Sequence, residues 1–162
     1  MVSWIWEQRA IPVFWQVIAP YRWSLLAEQQ ELLYPIFDLL QDNDFVVLGD
    51  REFGSMGLAN WLQQKNVGFC LRQKQGQYVQ EQGREFQRLS TLGLAPGRSW
   101  YLGDLKVTKQ RGFNQHDIAA RWRRKYRRKA PEQGWYILTN LGSVEAAMTA
   151  YTPLLSLSGE RK

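Results

Sequence analysis

The chain has 162 residues, one ordinary domain's worth, with 44% hydrophobic residues and a formal net charge of +6. No run of eighteen apolar residues is present, and the start shows no basic region leading into an apolar stretch and a small-residue cleavage site. Neither a transmembrane helix nor a secretory leader is therefore expected.

Residues 2–6 and 11–18 read as two strands joined by a short polar turn, Glu7-Gln8-Arg9, with Ile11, Val13, Trp15 and Val17 alternating onto one face. Ser24 is placed to cap a helix reaching about Gln41, and Pro35 is expected to kink or split it. Four apolar residues in a row, Phe45-Val46-Val47-Leu48, then predict a strand buried on both faces, ending in Gly49 with Asp50 at its tip. Helical spacing follows over 55–65, with Met56, Leu58, Ala59, Trp61 and Leu62 on the core side. An acid at a strand's carboxyl end, just before a helix, is where α/β sheets place ligands, and equally where a helix is capped. The single cysteine, Cys70, sits in the apolar run Val67-Gly68-Phe69-Cys70-Leu71, and is read as a buried structural thiol. One cysteine excludes an internal disulfide framework and fits a reducing, cytoplasmic compartment.

From Gly76 to Gly134 turn signals recur between strand-like pieces, and a mostly antiparallel β region is predicted. Residues 86–94 fit a short helix or irregular chain, and residues 98–109 a strand. Residues 118–128 and 134–141 are expected to pair as a hairpin. Its first arm holds Arg121-Trp122-Arg123-Arg124-Lys125-Tyr126-Arg127-Arg128-Lys129, seven positive charges in nine residues with no acid. That exceeds the net charge of the whole chain, so the remainder is near −1. As a strand, Arg121, Arg123, Lys125, Arg127 and Lys129 would line one face, with Trp122, Arg124, Tyr126 and Arg128 on the other. Such a patch attracts polyanions, nucleic acid first, although a charged edge strand also guards against aggregation. His116 stands alone, which argues against zinc and for a surface or capping role. Walker and dinucleotide phosphate loops are absent from the sequence, which leaves a doubly wound nucleotide-binding domain without support. Ser143 opens a last helix over about 144–151, with Glu145 in its first turn; Pro153 is expected to break it, and residues 156–162 read as an unstructured tail.

Several words in this order carry a family resemblance. Gly49-Asp50-Arg51-Glu52-Phe53-Gly54-Ser55, followed by Leu58-Ala59-Asn60-Trp61-Leu62, resembles the segment around the second catalytic aspartate of bacterial insertion-sequence DDE transposases. Arg9-Ala10-Ile11-Pro12-Val13 resembles that family's third core strand, and Trp135-Tyr136-Ile137-Leu138-Thr139-Asn140-Leu141 the strand closing its β-rich insertion. The resemblance runs from about residue 1 to about residue 151. It implies an α/β fold, a partial ribonuclease-H-like core with an antiparallel β insertion. Residues 1–75 would form the core without its first strand, 76–141 the insertion, and 142–162 the start of the final core helix and a disordered tail. It also implies metal-dependent DNA cleavage and strand transfer at transposon ends, with Mg²⁺ or Mn²⁺ held in the family by carboxylates of which Asp50 is one, an ion that this chain is not expected to bind tightly. Arg51, Arg121, Arg123, Arg124, Lys125, Arg127, Arg128 and Lys129 become the candidate DNA contacts.

The family's first aspartate would precede Met1, and its final Tyr-x2-Arg-x3-Glu pattern is met by Tyr151, Leu154 and Ser158. Only Asp50 of the three acids is matched, so the expectation is an inactive fragment of such an enzyme. A non-catalytic DNA-binding module, or a competitor of full-length transposase, is the alternative. The implied partners are transposon-end DNA and a homodimer mate or complementing transposase fragment, with no membrane and a nucleoid-associated cytoplasmic location. The family's first strand would lie between the strands at 2–6 and 45–49, so those two are expected to pair imperfectly or lie apart.

Overall fold

The computed structural model of the protein describes residues 2–6, 9–14, 25–40, 43–107, 115–124 and 134–157, with the side chains of Trp6 and residues 154–157 excepted. Its elements are β1 (Val2–Trp6), β2 (Arg9–Phe14), α1 (Leu26–Leu39), β3 (Val46–Gly49), α2 (Met56–Gln64), β4 (Gly68–Arg72), β5 (Tyr78–Gln80), β6 (Gln87–Arg88), β7 (Ser99–Val107), β8 (Gln115–Arg121), β9 (Trp135–Thr139) and α3 (Val144–Leu157). The architecture is mixed α/β. One sheet has the order β3-β4-β9-β8-β7-β5-β6, with β3 and β4 parallel and every other pair antiparallel. β1 and β2 form a separate antiparallel hairpin. No described helix is long and apolar enough to cross a membrane.

Strand alternation sorts the core into two layers. Phe69, Leu71, Ile118, Ala120, Tyr136 and Leu138 face α1 and α2. Cys70, Ala119 and Ile137, one residue out of phase, face Val144, Ala147, Met148 and Tyr151 of α3. Helices therefore cover both faces of the sheet, and its inner strands read as apolar on both sides. The spacing of α2 was legible: Leu58, Ala59, Trp61 and Leu62 are buried, and Ser55 caps the helix by accepting the Leu58 N–H at 3.2 Å.

The start of β4 is fixed by side chains from the far end of β9. Asn140 Oδ1 accepts the Phe69 N–H at 2.9 Å and its Nδ2 donates to the Val67 carbonyl at 3.0 Å, as a neighbouring strand would. Thr139 Oγ1 donates to the Phe69 carbonyl at 2.8 Å. A second anchor lies at the other layer, where the buried Tyr151 hydroxyl donates to the Gly49 carbonyl and ties α3 to the end of β3. In β7 a bulge between Leu102 and Leu105 puts Asp104 at φ 59°. The Asp117 carboxylate holds it there, accepting the Asp104 N–H at 2.9 Å and the Tyr101 hydroxyl. Burial first, and then that carboxylate, push the Tyr101 pKa well above its ordinary value.

Four sequence expectations need correction. β3 is the edge of the seven-stranded sheet, so Val46 is 36% exposed and the strand is half-buried instead of covered on both faces. α1 is one continuous helix through Pro35, and its N-cap is Leu25, whose N–H is taken by the Glu28 carboxylate at 2.8 Å; Ser24 lies outside the described residues. α3 runs through Pro153 to Leu157, so Ser156 and Leu157 are helical. His116 is only 4% exposed, with Nε2 2.8 Å from Asn60 Oδ1 and its ring edge-on to Phe69. A strand residue between two covered layers has no route to solvent, which a sequence scan of one His could not reveal. Cys70 is buried as expected; burial pushes its thiol up to about 11, the Thr139 hydroxyl partly opposing. The strands at 2–6 and 46–49 lie in different sheets.

Two outcomes check this packing. Asn140→Ala leaves the Phe69 N–H and Val67 carbonyl without their partner, and should cost about 1–3 kcal/mol in urea unfolding. His116 has its pKa lowered by burial, with Asp117 opposing. The unfolded chain then binds a proton near pH ~6.5 that the folded chain still refuses. Stability should fall as pH drops from about 6.5 toward the lower folded value, with a slope of at most about 1.4 kcal/mol per pH unit. His116→Gln should flatten that part of a stability–pH curve.

Candidate nucleic-acid interface

The sheet register decides which candidate residues share one end of the molecule. β3 runs parallel to β4, with Gly49 opposite Leu71. β4 is antiparallel to β9, with Arg72 opposite Ile137, and Gln73 N–H donates to the Tyr136 carbonyl at 2.8 Å. β9 begins at Trp135, opposite Arg121 at the end of β8, and Arg121 in turn lies opposite Ser99 at the start of β7. The tip of β3, the end of β4, the end of β8 and the start of β7 therefore form one rim. Asp50 and Arg51 stand at its β3 corner; Arg98, Arg121, Arg123 and Arg124 stand along its middle. β3 and β8 are three strand spacings apart, about 14 Å.

At the β3 corner the sequence word has a local structural reason. Asp50 is exposed, and its Oδ1 accepts the Glu52 N–H at 3.0 Å in a tight side-chain turn, while the Phe53 N–H returns to the Asp50 carbonyl at 3.1 Å. The turn folds down on the end of β4. A Cβ on Gly54 would sit 2.5 Å from the Arg72 carbonyl oxygen, and one on Gly49 2.8 Å from Leu71 Cδ2. Glycine is required at both places for that close approach. Arg51 is half-buried and Glu52 exposed. Asp50 also lines one end of a cavity of about 820 Å³ that opens between β3 and the β1–β2 hairpin.

Along the middle of the rim the expected basic strand is cut short. β8 ends at Arg121, opposite Trp135 at the start of β9. Trp122 stays paired on β7's side, donating its N–H to the Arg98 carbonyl at 2.9 Å and accepting the Gly97 N–H at 2.8 Å with its own carbonyl. Residues 122–124 are not strand, so the alternating basic face is corrected to a short arginine group. Trp122 packs toward the α1–α2 layer, whereas the Arg123 guanidinium lies 4.9 Å from the Trp135 ring centre. Arg123 and Arg124 are exposed and Arg121 half-buried. Lys125, Arg127, Arg128 and Lys129 lie outside the described residues. Arg98, exposed on the same rim, was not singled out from the sequence, since only the Trp122 pairing brings it to the group. Arginines beside a flat aromatic ring are suited to phosphate and to stacked bases.

The donor set does not fit a two-metal centre. Asp50 offers one carboxylate with an oxygen engaged by the turn, and the described residues bring no three His, Cys, Asp or Glu side chains together. Two ions roughly 3.5–4 Å apart need several converging carboxylates. No cleavage step is derived from this arrangement. No family model matches the sequence, and no curated protein does.

The turn role of Asp50 is open to direct measurement. Asp50→Asn keeps an oxygen acceptor for the Glu52 N–H and should leave stability within about 0.5 kcal/mol, while Asp50→Ala should lose about 1 kcal/mol in urea unfolding. Equal losses would show that the charge, and not the turn hydrogen bond, matters there.

Proposed function

We propose that the chain is a DNA-binding protein of the DDE-transposase kind, which holds a DNA backbone along its arginine rim and does not cut it by itself. The observation that carries the reading is the register of the sheet, which sets Arg98, Arg121, Arg123 and Arg124 on the same end as Asp50 and Arg51. The words at 49–62 and 135–141 support the family, and a ribonuclease-H-like core is the finer description this proposal adds to the mixed α/β fold. Arg121, Arg123 and Arg124 neutralise phosphates, and the Arg123–Trp135 stack holds one guanidinium in place, so less side-chain freedom is given up on binding. Arg51, at the other corner, is positioned to reach the same polyanion. Asp50 in this reading marks the family's strand-tip position, and the described residues bring no group of three metal-ligating side chains together there.

Binding of a duplex, followed by fluorescence anisotropy between 50 and 200 mM salt, should weaken linearly on a log–log plot, by about 0.9 per phosphate neutralised. Replacing Arg121, Arg123 and Arg124 together by Gln should flatten the slope by about 0.9 for each phosphate those arginines neutralise. An unchanged slope overturns the interface. Mg²⁺-dependent nicking that disappears in Asp50→Asn would overturn the non-cutting part of the proposal.

A further inference from the structure

The ladder between β7 and β8 ends in a bulge that depends on glycine. The Trp122 carbonyl accepts the Gly97 N–H at 2.8 Å and the Trp122 N–H donates to the Arg98 carbonyl at 2.9 Å, so two residues oppose one. The Arg98 N–H also closes a turn onto the Ala95 carbonyl at 2.9 Å. Pro96 and Gly97 are the central pair of that turn, and Gly97 has φ 82°, the conformation required at its second place. The room left by the missing side chain is taken by an arginine. A Cβ on Gly97 would stand 2.8 Å from Arg124 Cγ and 3.3 Å from Arg124 Nε. The stem of Arg124 therefore lies along the turn, at a closeness of approach that only glycine allows.

The arginines of the rim are thereby sorted into two groups. Ser99, Arg121 and Trp135 are cross-strand neighbours in one row. Trp135 packs with the α3 layer, so Arg121 points to that face, and Arg123 joins it through its stack on the Trp135 ring. Arg98 opposes Trp122, which packs with the α1–α2 layer, and belongs to the other face. Consecutive residues also part sideways. Arg123 reaches across to β9, whereas Arg124 reaches back over Gly97 at the head of β7, next to Arg98. β8 lies between β7 and β9, so the two directions differ by two strand spacings, about 10 Å. Arg98, Arg123 and Arg124 are exposed and Arg121 half-buried.

We propose that this sorting makes the rim a grip on two strands. Arg121 and Arg123 take phosphates of one strand of a DNA duplex, and Arg98 and Arg124 take phosphates of the other, across a groove. Gly97 is the positioning residue, because its missing side chain lets Arg124 lie beside Arg98. The inference rests on the DNA-binding reading above and adds the form of the DNA and the division of labour among the arginines. The end of the sheet stands between the two groups, so one backbone would have to bend around it to meet both. A duplex is stiff over about 150 base pairs and does not bend that sharply at low cost. The two backbones that border a groove, about 6 or about 12 Å wide, can meet both groups without bending.

The test compares two duplexes of one sequence, an ordinary one and one with methylphosphonate linkages throughout a single strand, which leaves that backbone uncharged. Two variants of the full 162-residue chain each lose one group, Arg121→Gln with Arg123→Gln in the first and Arg98→Gln with Arg124→Gln in the second. On the ordinary duplex each variant should flatten the log–log salt dependence by about 0.9 for every phosphate no longer neutralised. On the half-neutral duplex only one backbone attracts arginine, so at least one of the two variants should match the parent. Flattening by both variants on both duplexes sets all four arginines on one strand; it overturns the grip and leaves the DNA-binding reading standing. Flattening by only one variant on the ordinary duplex also overturns the grip alone, whereas flattening by neither overturns the DNA-binding reading with it. Gly97→Ala should weaken binding to the ordinary duplex several-fold in the parent and not at all in the variant lacking Arg98 and Arg124. Equal weakening in both backgrounds would make Gly97 merely structural and overturn its positioning role.

Discussion

The position of β4 governs the rest of the structure. Among the described strands it is the one with a parallel neighbour on one side and an antiparallel neighbour on the other. Its two neighbours are separated by most of the chain, so the pairing closes only after a large loop-closure entropy has been overcome. Asn140 and Thr139 make that closure directional, because their side chains reproduce the hydrogen bonds of a further pair of ladder residues at Val67 and Phe69. A slip by one residue would exchange Phe69 and Leu71 with Cys70 across the two core layers, and would put a small thiol where an aromatic ring is packed. The same register places the tip of β3 and the end of β8 on one rim. Chemistry at that rim is therefore a consequence of pairing deep in the sheet, and not of the sequence proximity of the residues concerned.

Local pattern was readable wherever local forces decide. The apolar run ending in Gly49, the amphipathic spacing of α2, the burial of Cys70 and the pairing of 118–121 with 135–138 all follow from residue periodicity. What escaped was set by neighbours distant in sequence. The run at 45–48 looks the same whether its strand is central or at an edge, and only the order of strands in the sheet tells them apart. His116 reads as polar, yet its strand passes between two helical layers and Asn60 of α2 satisfies it there. The basic run continues past Arg121, but residues 122–124 leave the strand, and among the described residues the β8–β9 ladder ends at the Arg121–Trp135 pair. Pro153 was expected to stop a helix on propensity alone. α3 continues because its apolar face is held by packing on the sheet, which outweighs the absence of one intrahelical hydrogen bond.

The transposase-like words are themselves partly explained by packing. Gly49 and Gly54 permit the turn to lie on β4, Asp50 closes that turn, and Thr139-Asn140 lock the strand start. Residues that would be read as a catalytic signature thus have structural roles of their own. Arg123 and Arg124 are exposed, and a stack on Trp135 fixes one of them without burying its charge. The proposal of a polyanionic partner rests on the arginine rim rather than on the aspartate.

The edge of β3 raises a separate physical question: why the opening beside it does not collapse. A void between packed layers normally forfeits dispersion attraction and is filled by rearrangement of its walls. Here the walls are held from outside. Tyr151 ties α3 to the Gly49 carbonyl, and Phe37 of α1 is stacked on the buried Trp61 of α2, with ring centres 5.1 Å apart. Neither helix can close on the gap without breaking one of these interactions. The hairpin on the far side is restrained more weakly. Residues 9–13 of β2 are exposed throughout, and Ile11 is 53% exposed. Rigid helices on the two faces and a lightly held hairpin at the far edge make an opening that can widen by moving the hairpin alone.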